Sequence, residues 1–60
     1  MDPNINIEEQ INLIRKFRRS IDRGHAVAGS DIIWLCDLVS CLDMFLSTGG
    51  ELPKRWKKYR

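Results

Sequence analysis

Sixty residues carry ten Lys and Arg against eight Asp and Glu, for a formal net charge of +2, with one histidine and two cysteines. A chain this short makes one domain at most. Alone it would bury only about 60% of the surface its unfolded form exposes, so a disulfide, a metal or a partner subunit is expected to complete it. A single histidine and no Cys-x-x-Cys spacing argue against a metal site or cofactor, and they leave no nucleophile–base pair for an enzyme.

The fold class predicted is all-α: an antiparallel helical hairpin with a C-terminal strap, in a single domain spanning 1–60. The N-terminal "MDPNINIEEQ" is acidic and polar, without the basic and apolar regions of a signal peptide. The first helix is predicted over about residues 6–23. Asn6 is the expected cap, with Glu9 completing a capping box; a start at Asp2 with Pro3 in the first turn is the alternative. Ile7, Ile11, Ile14, Phe17 and Ile21, with Leu13 beside them, recur at helical spacing and make one apolar stripe. Arg18 falls inside that stripe, about 20° round from Ile7 at 100° per residue. It needs a partner there: Asp31 across the hairpin, or a phosphate fitted to its planar fork. Arg15, Lys16 and Arg19 point away from the stripe.

Gly24 stops the first helix, and residues 24–29 form the turn, which places His25 in a loop. Ser30 is the expected cap of a second helix over about 30–48, and Asp31 complements its dipole. Gly49 and Gly50 end it and Pro53 prevents its continuation. So short a connection makes the two helices antiparallel neighbours. Leu35, Leu38, Val39, Leu42, Phe45 and Leu46 form the face of the second helix turned to the first, flanked by Ile32, Trp34 and Cys41. Ile33, Asp37, Ser40 and Met44 follow one another by four, three and four residues on the opposite side. A helix apolar nearly all round is normally buried, so this seam is predicted to pack on a second copy, with Asp37 and Ser40 fixing register in a helical-bundle oligomer. Cys36 and Cys41 stand roughly 140° apart around the axis, too far for a bridge, and are read as reduced core residues. Asp37 and Asp43 interrupt the longest apolar run, which is shorter than the roughly 20 residues of a bilayer crossing. No membrane partner and a cytoplasmic location are expected.

The basic tail occupies 49–60. Leu52 and Trp56 are four residues apart, so Leu52, Pro53 and Trp56 are expected to strap the core, while Lys57, Lys58, Tyr59 and Arg60 extend beyond it. Residues Leu38, Val39, Leu42, Asp43, Leu46, Ser47, Gly49, Gly50, Leu52, Pro53 and Trp56 spell LVxxLDxxLSxGGxLPxxW. This ending resembles a pattern in short proteins encoded by bacteriophages. The resemblance implies a non-enzymatic, oligomeric accessory protein of the host cytoplasm. Small helical phage proteins of this kind include inhibitors of host enzymes and oligomeric sponges that sequester the nucleotide signals of antiviral defence. The resemblance does not choose between them.

Charge is blocky. Basic residues gather in Arg15–Arg23 and again in the last seven residues, and acids fill the stretches between. Arg15, Lys16, Arg18 and Arg19, with Lys54, Arg55, Trp56, Lys57 and Lys58, are therefore the candidate contacts for an anionic ligand, a signalling nucleotide or a nucleic acid. The two clusters lie at opposite ends of a hairpin, and within one chain the tail falls near Glu8 and Glu9. A second copy packed antiparallel along the seam is expected to bring its tail to the first copy's basic face. The alternative function is a protein-binding inhibitor or adaptor that offers the apolar second helix to a host protein.

Overall fold

The structure is a computed structural model that describes residues 1–58. Two long helices, α1 (Pro3–Asp22) and α2 (Gly29–Ser47), form the hairpin, and a single turn, α3 (Lys54–Lys57), follows. No strand occurs among the described residues. Asn6 meets Leu38 while Lys16 meets Asp31, so α1 and α2 run antiparallel. The result is one layer of helices, 40 × 23 × 14 Å. No helix among the described residues is long and apolar enough to cross a membrane.

The first helix takes the alternative start, capped by Asp2 four residues before Asn6, and not the capping box at Asn6. The Asp2 carboxylate accepts from the Asn4 N–H at 2.9 Å, and Pro3 supplies the first helical residue. Asn6 is thereby freed for the core. Its amide donates to the Leu38 carbonyl at 3.0 Å and its oxygen accepts from Gln10 Nε2 at 2.6 Å. The N-cap of α2 is Ala28, with no side-chain cap, so Ser30 does not take that role.

Both long helices end by the same device. Gly24 and Gly49 take φ of +72° and +93°, where a Cβ is strained. His25 N–H donates to the Ser20 carbonyl at 2.8 Å, and Gly50 N–H to the Phe45 carbonyl at 2.9 Å, which makes each terminus a Schellman motif. A Cβ on Gly50 would overlap the Phe45 ring, so glycine is required there for close approach as well.

The core is small. Ile7 and Leu42 are its buried apolar side chains, joined by Asn6, Gln10 and a fully enclosed Pro53. Leu35, Leu38, Phe45 and Leu46 are half-buried, but Val39 is exposed, contrary to its place in the predicted core face. Cys36 and Cys41 are free thiols, both exposed, which corrects their reading as core residues. Ile14 and Ile21, also predicted core positions, are exposed as well.

Burial of α1 is confined to its first turns, at Asn6, Ile7 and Gln10, two of them polar residues that a count of apolar spacing passes over. Nearer the turn the same stripe is solvated, so Ile14, Arg18 and Ile21 are exposed. There it is Lys16 that reaches Asp31, where the ammonium and the carboxylate pair at 2.8 Å. The predicted Arg18–Asp31 pair is replaced by Lys16–Asp31.

The strap is also redistributed. Pro53 is its centre, with less than 2% of its surface exposed, and the Lys54 N–H donates to Asn4 Oδ1 at 2.7 Å. Leu52 is half-buried, whereas Trp56 is 37% exposed at the edge. A proline closes the end of the hairpin because it is already rigid and loses no hydrogen bond on burial. Of the tail residues expected to extend further, Tyr59 and Arg60 lie outside the described residues.

Candidate anion-binding cleft and apolar groove

Two long surfaces flank the hairpin. The first is polar and basic. The strap brings α3 beside the N-terminal turns of α1, so Lys54, Arg55 and Lys58 stand around Asn4, Ile7 and Glu8. The cleft continues along α1, where Arg55 and Arg15 line it together with Glu8, Ile11 and Asn12. Its two lobes have volumes of about 430 and 300 Å³. Both fall toward the lower end of the range for small-molecule sites, about 300–1,000 Å³.

Four cations therefore share this cleft with one carboxylate. Among the described residues Arg15, Lys54, Arg55 and Lys58 form no ion pair, whereas Lys57 is drawn off to Glu51 at 3.8 Å. Glu8 mutes the cleft charge without cancelling it. Arg15 and Arg55 present planar forks suited to phosphate oxygens, and the Asn12 amide adds a neutral donor.

The sequence-predicted ligand residues separate into two groups. Arg15, Lys54, Arg55 and Lys58 come together in the cleft. Arg18 and Arg19 are exposed outside it, Lys16 is engaged by Asp31, and Trp56 and Lys57 do not line it. The joining of the two basic clusters, expected only from a second copy, begins within one chain at Arg15 and Arg55. The tail does lie at Glu8, as expected, but the same placement sets Arg55 within one cleft with Arg15. Asn4 and Asn12 were missed by sequence reasoning. Their signal is weak: asparagine is a poor helix former, and three of them in one helix have uses other than helix propensity.

The second surface is apolar. Met1, Ile5, Trp34, Leu38 and Cys41 floor a groove of about 410 Å³ between α1 and α2, rimmed by Asp2, Glu9 and Asp37. It extends past Cys41 along Met44, Phe45 and Thr48. Beside it, on the outward face of α2, Ile33 and Met44 are 63% and 70% exposed, and Asp37 and Ser40 are exposed between them. Ile33 and Ser40 stand outside the groove, while Asp37 and Met44 lie where the predicted seam meets its edge.

Comparison with protein-family models, with curated proteins and with solved structures finds no match to this chain.

Proposed function

We propose that this chain is a non-catalytic accessory module that works as a homo-oligomer and binds a phosphate-bearing anion in the cleft of Arg15, Lys54, Arg55 and Lys58. The observation that carries this reading is the meeting of Arg15 and Arg55, forty residues apart in the chain, in one cleft where neither pairs with an acid among the described residues. Two guanidinium groups lining one cleft offer a shared site to the oxygens of a phosphate. The cleft is short, which favours a nucleotide over a long nucleic acid, since a nucleic acid needs a continuous basic track. The resemblance of the ending to that of short phage proteins supports a role in a host cell, where binding a signalling nucleotide would suppress antiviral defence.

The test is calorimetric titration with pyrophosphate, with mono- and cyclic dinucleotides, and with short DNA, at low and physiological salt. A nucleotide is expected to bind, more weakly as salt rises. Arg15→Gln with Arg55→Gln should lower affinity by about tenfold or more, the worth of a charge-assisted contact. Binding undiminished in that double variant would remove the cleft from the account, and binding of DNA alone would replace the nucleotide.

A second reading is favoured by the apolar groove. Its floor and acidic rim suit a basic amphipathic segment of a host protein, as in helix-in-groove recognition. Capture of one host protein at a defined stoichiometry, lost in Trp34→Glu, with no nucleotide bound, would make this the function.

A further inference from the structure

The outward face of α2 identifies its own occupant. Ile33, Asp37, Ser40 and Met44 fall within an arc of about 60° around the helix, nearly opposite Leu42 in the core. This seam reads alike in both directions. Ile33 and Met44 stand equally far from the Leu38–Val39 peptide, one on each side, and so do Asp37 and Ser40. A surface that is complementary to its own reversal is what an isologous two-fold contact requires.

Area agrees. The chain exposes 4813 Å². A folded monomer of 7.0 kDa exposes roughly 4000 Å² by the scaling of surface with mass. The excess, about 800 Å², is what one partner contributes to an interface of standard size. It arises because the fold is a single layer 14 Å thick, whereas stable domains pack two layers around a core.

We propose that two copies pack α2 against α2, antiparallel, with the two-fold axis opposite the Leu38–Val39 peptide. Ile33 of each copy then meets Met44 of the other at both ends of the contact. Ser40 offers its hydroxyl across the axis to the Asp37 carboxylate of the second copy, so the polar pair fixes the register that two apolar ends alone would leave free to slide. The contact turns each α1, and with it each basic cleft, away from the interface. Dimerisation and anion binding therefore use separate residues. This inference rests on the self-association reading above and not on the anion.

Cysteine cross-linking tests it, on a background of Cys36→Ser and Cys41→Ser. All the substituted positions are exposed, so the variants should fold. Ile33→Cys combined with Met44→Cys should oxidise to a covalent dimer, because facing residues of neighbouring helices bring their Cα atoms within the about 7 Å a disulfide spans. Ile33→Cys alone should not cross-link, since in this register the two copies of residue 33 are about 16 Å apart along the axis. Val39→Cys lies at the height of the axis but on another side of the helix and should not cross-link either. Wild type should sediment at twice 7.0 kDa. Cross-linking by Ile33→Cys alone would overturn the antiparallel register while leaving self-association intact. Cross-linking by Val39→Cys in place of the seam pair would overturn the face. A wild type that sediments at 7.0 kDa would overturn both the interface and the self-association it rests on.

Discussion

Asn6 shows how one polar side chain sets the geometry of a very small core. It is 6% exposed and satisfied on both sides, donating to the Leu38 carbonyl and accepting from Gln10. It thus ties the N-terminal end of α1 to the middle of α2, beside the buried Ile7. Asn6→Ala would leave the Gln10 amide buried without its acceptor, a loss of about 1–3 kcal/mol. For a 60-residue domain that should lower the melting temperature by several degrees or more, as followed by circular dichroism. An unchanged melting temperature would mean that water satisfies Gln10 as well as Asn6 does. The ion pair of Lys16 with Asp31 weighs less. The lysine side chain is 57% exposed, and such surface pairs contribute at most about 1 kcal/mol. At this scale the sequence was least legible. The asparagine that reads as a cap is a core tie, because a polar residue in the core leaves no trace in a count of apolar spacing, and the arginine that falls in the apolar stripe is solvated, because the stripe is buried only in its first turns.

At the scale of elements the reading from sequence held better. Two helices, their glycine stops and a strap after Pro53 were all legible, because Gly24, Gly49 and Gly50 sit where only glycine is easy and proline cannot continue a helix. What differed was the distribution of weight within the strap. With Trp56 taken as its buried anchor, truncation to alanine should cost about 3–5 kcal/mol. Its 37% exposure, against a fully enclosed Pro53, moves that weight to the proline. Trp56→Ala is therefore expected to destabilise the fold less than Leu42→Ala, which removes a buried apolar side chain and should cost about 2–5 kcal/mol. Denaturant unfolding of the two variants orders them. A tryptophan variant as unstable as the leucine variant would restore the ring as the anchor. The same geometry explains why the cleft was only half legible. The basic residues are visible in the sequence, but their meeting depends on Asn4 holding the Lys54 N–H and so laying α3 back along α1.

The whole molecule is a hairpin with two unlike sides, and its two tryptophans report on them differently. Trp34 lines the apolar groove, 54% exposed, and Trp56 sits in α3 beside Arg55. That division was not readable from composition, where the charge blocks and the apolar second helix overlap along the chain. It follows from the strap, which folds the tail onto α1 and leaves α2 bare. The two indole N–H groups are therefore natural reporters of which side a ligand uses. The most direct measurement is a nitrogen–proton correlation spectrum of the wild-type chain, recorded while a nucleotide is added at constant protein concentration. The account predicts that the resonances of Arg15, Asn12 and Arg55 and the Trp56 indole shift together with one dissociation constant, while the Trp34 indole stays in place. A ligand that moves the Trp34 indole and leaves Arg15 and Arg55 unmoved, or one that moves neither side, would contradict it.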